Sequence, residues 1–165
     1  MQARKRQFKV GDKAVYPRRG VAEVVSIQEK DIAGNRQKFY ELRLLDTEHK
    51  ILVPVKNANK VLRPPISETE VREIFEILKE RTIAFDKQTW NRRYRGFIDK
   101  LNSGSLFDAA EVMRDLYRLQ AEKSLSHGEK DILKQARQLI VKEIAVARRK
   151  SEEKVQAEIE KIFDN

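Results

Sequence analysis

The spacing of apolar residues changes once along the chain, and the change divides it in two. From Phe8 to Leu62, short runs of apolar residues are broken by polar ones, the pattern of strands with one buried face. Lys13-Ala14-Val15-Tyr16 leads into a Pro17-Arg18-Arg19-Gly20 turn, and Val21 to Lys30 is rich in β-branched residues. Gly34-Asn35 supplies the next turn, Lys38 to Leu45 a third run, and Asp46-Thr47-Glu48 a polar turn after it. Ile51-Leu52-Val53-Pro54-Val55 is a fourth strand and Lys60-Val61-Leu62 a candidate fifth. Pro54 has no N–H for a ladder hydrogen bond, so the fourth strand is expected at an edge or a bulge. So many short strands predict a small SH3- or Tudor-like barrel. An apolar edge strand invites strand addition by a partner, and cover by the protein's own tail is an equal alternative.

At Pro64-Pro65 the alternation stops, and every later segment has a helical period. Ser67-Glu68-Thr69-Glu70 is a capping box opening a helix with Val71, Ile74, Phe75 and Leu78 on one face. A second helix carries Trp90, Tyr94, Phe97, Ile98 and Leu101 and ends at Ser103-Gly104. Ser105 is placed to cap a third, with Leu106, Ala109, Ala110, Met113, Leu116 and Tyr117 inward. The box Ser126-His127-Gly128-Glu129 starts a fourth, with Ile132, Leu133, Ala136, Leu139, Ile140 and Ile144 apolar. Ser151 caps a last helix bearing Val155, Ile159, Ile162 and Phe163. The expected fold class is α+β: a barrel over residues 1–63, then an all-α domain of about five helices over residues 64–165.

Charge sharpens this division. The 165-residue chain has a formal net charge of +9, which points to an anionic partner. Residues 1–64 hold 15 lysines and arginines against 7 acidic residues, whereas residues 65–165 hold 20 against 19. The excess therefore sits in the strand-rich part, and any nucleic-acid contact by the helices must use a local cluster. With no cysteine, disulfides and thiolate chemistry are excluded. No apolar run is long enough to span a membrane, and the basic start, Met1 to Arg6, leads into no signal-peptide core. A cytoplasmic protein is expected.

The one cluster that stands out is Thr89-Trp90-Asn91-Arg92-Arg93-Tyr94-Arg95, which holds the only tryptophan. Aromatic rings wedge between bases, and guanidinium groups hold phosphates. Helical phase alone favours a core position for Trp90, in line with Tyr94, Phe97 and Leu101. Thr89 as an N-cap would instead put Trp90 in the first turn, where a side chain can protrude past the core. No enzymatic constellation accompanies it. His49 and His127 lie in no metal-ligand spacing, no phosphate-binding loop occurs, and the carboxylates are interspersed with lysines and arginines as on solvated helix faces. Catalysis is not expected, and no cofactor or metal is implied.

In order along the chain come Val10-Gly11-Asp12-Lys13-Ala14-Val15-Tyr16-Pro17, Trp90-Asn91-Arg92-Arg93-Tyr94, Ala110-Glu111-Val112-Met113-Arg114-Asp115-Leu116-Tyr117 and Leu125-Ser126-His127-Gly128-Glu129-Lys130. With the strand-rich module before the helices, this closely resembles the CarD/CdnL family of bacterial transcription regulators, CdnL-type proteins most of all. The likeness runs from Phe8 over nearly the whole chain. It implies an N-terminal domain that binds the RNA polymerase β subunit, a module shared with transcription-repair coupling factors. It also implies a helical domain that touches promoter DNA at the upstream edge of the bubble and stabilises the open complex. Carried onto this sequence, Trp90 is the minor-groove wedge, Arg92 and Lys130 are DNA contacts, and Arg93 is a further candidate nearer the core stripe. Lys30, Arg43, Leu52, Val53 and Pro54 are the polymerase-side positions. Some relatives carry arginine where this chain has Leu52, so an apolar contact would replace a salt bridge there. A monomer located at the nucleoid through polymerase is expected. Tethering through the barrel would explain why the helical part is nearly neutral, because tethering supplies local concentration. Two other classes remain: an architectural DNA-binding protein acting without polymerase, and a protein–protein adaptor in which Trp90 is core.

Overall fold

The structure, a computed structural model, describes residues 7–81 and 90–164, without the side chains of Trp90 and Asn91. The expected cap at Thr89 and the basic start, Met1 to Arg6, lie outside the described residues. The chain forms two compact units, Met1–Pro65 and Ile66–Asn165.

In the first unit, β1 (Lys13–Tyr16), β2 (Gly20–Ile32), β3 (Asn35–Leu44) and β4 (Lys50–Pro54) form an antiparallel meander in the order β1-β2-β3-β4, curled as a half-barrel. The β2–β3 hairpin closes through Ala33 and Gly34, both with positive φ, which matches the right-handed twist of the flanking strands. The turn therefore falls one residue before the expected Gly34-Asn35, and Asn35 opens β3. Phe8, Ala14, Ala22, Val24, Tyr40, Leu42, Leu44, Val53, Ala58 and Leu62 make up the core. The Phe8 N–H donates to Tyr40 Oη at 3.2 Å, with the two rings edge to face.

The expected fifth strand is not one. After β4 come a 3-10 turn, Val55–Asn57, and a single α-helical turn, α1 (Ala58–Val61). The Leu62 N–H donates to the Ala58 carbonyl, and that one turn puts both apolar side chains into the core, which three extended residues would not do. Arg63 then returns to β1 and exchanges two backbone hydrogen bonds with Val15. That bridge lies on the β1 edge. β4 is the other edge of the sheet, as Pro54 requires.

The second unit holds five helices among the described residues: α2 (Glu68–Lys79), α3 (Trp90–Asn102), α4 (Leu106–Glu122), α5 (His127–Arg148) and α6 (Glu152–Asp164). Both capping boxes are formed, by Ser67 with Glu70 and by Ser126 with Glu129. Ser105 stands at the N-cap of α4 without a side-chain cap bond, whereas Ser151 Oγ accepts from the Lys154 N–H. The apolar stripes read from the sequence meet in one core, with Val71, Ile74 and Leu78 against Leu116, Ile140, Ile144 and Ile159. Glu143 is buried in this core, and its carboxylate accepts the Ile66 N–H at 3.0 Å. An unpaired buried charge would be costly. Here it satisfies the first backbone donor after Pro64-Pro65.

Candidate protein and nucleic-acid interfaces

A single bulge decides what the sheet presents outward. Val24 pairs with Leu42, but Ser26 pairs with Glu41, which leaves Val25 as an extra residue. Strict alternation would put Lys30 on the same face as the core residues Ala22 and Val24. The bulge moves it to the opposite face, in register with Gln37. Cross-strand rows on that outer face read Glu23, Arg43 and Lys50; Ser26, Glu41 and Leu52; Gln28, Phe39 and Pro54. Lys30, Arg43, Leu52 and Pro54 thus share one face.

Val53 does not join them. It pairs with Tyr40 and is 3% exposed within the core, whereas Leu52 is 43% exposed. Alternation along β4 lets only one of these two neighbours face outward. Val53 therefore supports the strand from behind and is corrected from a contact to a core residue.

Most charged groups on this outer face are already paired. Arg43 binds Glu23 at 2.9 Å and Glu48 at 3.5 Å, and Lys13 approaches Glu23 at 3.4 Å. The hydrogen bond from Arg43, then the charge of Lys13, holds the Glu23 carboxyl below its ordinary range. Glu41 accepts from Ser26 Oγ at 2.6 Å and Gln28 Nε2 at 2.9 Å, and pairs with Lys50 at 3.7 Å. Its carboxyl is likewise held low, chiefly by the Ser26 hydroxyl. Lys30 and the apolar Leu52 stand exposed beside this network.

The second candidate surface lies where the first turns of α3 and α5 meet. Tyr94 packs over Gly128, where a Cβ would come within 3.1 Å of the ring. Arg93 pairs with Glu129 at 3.4 Å, across 36 residues of sequence. Their side chains are only 19% and 4% exposed. Burial pushes the Glu129 carboxyl up, but the Ser126 N–H and hydroxyl, then Arg93, outweigh it and hold the group low. Arg92 and Lys130 flank this contact, and both are exposed. Neither, nor the exposed Arg95, makes an ion pair among the described residues. Trp90 is the first residue of α3, and its side chain lies outside the described residues.

Sequence reasoning found Glu129 as a cap but missed its ion pair. Gly128 was the available signal: glycine in a helix costs roughly 1 kcal/mol against alanine, so its presence there marks a close approach. Glu143 carried no such signal. Among the described residues no acidic or histidine cluster could hold a metal, and no helix is long and apolar enough to cross a membrane.

A curled β-sheet module followed in sequence by a helical unit is the architecture of a Tudor-like domain joined to a helical C-terminal domain. The chain belongs to the CarD family: residues 8–66 match the CarD-like/TRCF RID domain, and residues 73–160 match the CarD C-terminal domain. A Bacillus subtilis (strain 168) relative named "Putative transcription factor YdeB" is 28% identical over 155 residues, covering 91% of this chain and 98% of that protein. The solved structure of CdnLNt from Myxococcus xanthus is 48% identical, covers 41% of this chain and 93% of its own, and superposes with a TM-score of 0.33.

Proposed function

We propose that this CarD-family protein regulates transcription by docking on the RNA polymerase β subunit and stabilising the promoter open complex. The outer sheet face, with Lys30, Arg43, Leu52 and Pro54, would meet the polymerase. The paired starts of α3 and α5, with Trp90, Arg92 and Lys130, would meet DNA at the upstream edge of the bubble. The observation that carries the proposal is that Arg92 and Lys130, far apart in sequence, flank one interhelical contact and make no ion pair among the described residues. Unpaired exposed cations release counterions on meeting phosphates, while cations already neutralised by carboxylates gain less. The matched domain models support the same division, since the RID module is the polymerase-interacting one.

Open-complex decay at a promoter, measured at fixed salt with and without the protein, tests this. The wild type should lengthen the lifetime, Leu52→Glu should lose polymerase association, and Trp90→Ala should keep association while shortening the lifetime. Tight duplex binding without polymerase, with a steep salt slope, would favour an architectural protein instead.

A further inference from the structure

Resting on that reading, we propose that Arg93 is a positioning residue: through Glu129 it holds the first turn of α3 against the first turn of α5, which sets Arg92 and Lys130 in one frame without contacting phosphate itself. Arg93 stands beside Arg92 in the motif, and by residue type it is as good a phosphate ligand. Its placement argues otherwise. The side chain is 19% exposed, one guanidinium nitrogen pairs with a carboxylate that is itself 4% exposed, and Nε is buried with no hydrogen-bond partner among the described residues. To reach a phosphate, the guanidinium would have to leave the buried Glu129 without its countercharge, which is unfavourable. Glu129 is fixed from the other side, because its carboxylate accepts the Ser126 N–H at 3.1 Å in the capping box. One carboxylate thus serves both the start of α5 and the start of α3. At the same level, the Tyr94 ring packs on the Gly128 backbone and adds a second contact between the two helices.

This strut makes a prediction of unusual sign. Glu129 is an anion buried just behind the proposed DNA-facing cations, so charge alone predicts that neutralising it tightens the DNA contact. As a strut, its loss should weaken that contact. Glu129→Gln keeps the capping geometry, since glutamine serves at that position of the box, while the charge that holds Arg93 is lost.

The experiment compares Arg93→Gln, Glu129→Gln and the double variant in full-length protein, with Lys130→Gln and Trp90→Ala as references. Each single change of the pair should shorten the open-complex lifetime by about threefold to tenfold, and the double variant no further, as coupled residues behave. The dependence of lifetime on salt should keep the wild-type slope in all three and fall by about one charge only in Lys130→Gln. A reduced slope in Arg93→Gln with an unchanged or longer lifetime in Glu129→Gln would overturn the strut and make Arg93 a phosphate ligand.

The second readout needs no promoter. Trp90 is the only tryptophan and begins α3, so its fluorescence reports on that turn alone. Quenching by acrylamide should rise by roughly twofold in Arg93→Gln and in Glu129→Gln at unchanged helical ellipticity, as local loosening does. Unchanged quenching in both would overturn the proposal. If Trp90→Ala leaves the lifetime untouched, the promoter reading fails, and the quenching result alone decides the strut. Should Glu129→Gln fail to fold, Arg93→Gln carries both measurements, because its side chain retains partial exposure.

Discussion

The outer face of the sheet and the α3–α5 surface are both rich in arginine and lysine, yet they treat their charges in opposite ways. On the sheet, Arg43, Lys13 and Lys50 are bound to Glu23 and Glu41, and the group left to offer a contact is chiefly the apolar Leu52. Of the arginines and lysines at the two helix starts, Arg93 is paired, while Arg92, Arg95 and Lys130 are exposed without ion pairs among the described residues. A surface whose charges are satisfied internally suits a protein partner, where apolar burial supplies the driving force and paired charges set register. A surface of unpaired cations suits a polyanion. The difference also explains why net charge misleads here. The strand-rich part holds most of the excess, but on its presented face Lys13, Arg43 and Lys50 are matched by Glu23, Glu41 and Glu48, so little of that excess sits there.

Truncations in the two cores have the largest expected effect. Leu42 and Ile140 are both fully buried, in separate clusters. Truncation of either to alanine should cost ~2–5 kcal/mol, and each variant should lower the melting transition of its own unit alone. A shared shift, followed by strand and helix signals in circular dichroism, would show that the two units unfold as one. If each unit melts on its own, a fragment of residues 1–65, which keeps the Val15–Arg63 bridge, should fold and bind the β subunit by itself.

Next in size is Leu52→Glu. It places a second carboxylate opposite Glu41 and removes the exposed apolar contact. Polymerase affinity should fall by ~1–3 kcal/mol, the range for an imperfectly satisfied polar group, while the melting temperature stays near wild type. Val53→Ala is the control on the same strand: it should lower stability through the core and leave binding by folded protein unchanged. Equal effects of the two on binding would remove the face distinction drawn from the register.

Trp90→Ala should cost only ~1–2 kcal/mol of stability but shorten the open-complex lifetime, since a wedge helps offset the unstacking of a base step. A loss of ~3–5 kcal/mol with normal lifetimes would make the residue core. Arg92→Ala should change stability by less than about 0.5 kcal/mol and reduce the salt slope by about one. The smallest effect is with acid. The Glu129 carboxyl is held below its ordinary value in the folded protein, so its contribution is present above the unfolded value and is lost as pH falls through the folded one. The stability of the helical unit against urea should therefore fall below about pH 4.5, and less steeply in Glu129→Gln.

Elements built from neighbouring residues were legible in the chain alone. Capping boxes at Ser67 and Ser126 act within four residues, apolar stripes repeat within a few turns, and Pro64-Pro65 ends one period where the next begins. Such signals are local, so they survive without knowledge of what packs where. The family motifs were legible for the same reason, as short runs in order. Only the tertiary structure decided which residues share a surface. The extra residue at Val25 turned Lys30 to the side of Leu52, and the core claimed Val53. The short segment after Pro54 wound into a turn because Ala58 and Leu62 both needed burial. Arg93 found Glu129 across 36 positions, and Glu143 found the Ile66 N–H. Each of these outcomes depends on register or on the meeting of two distant faces. No window of sequence contains that information, because the partner that satisfies the group lies in another window.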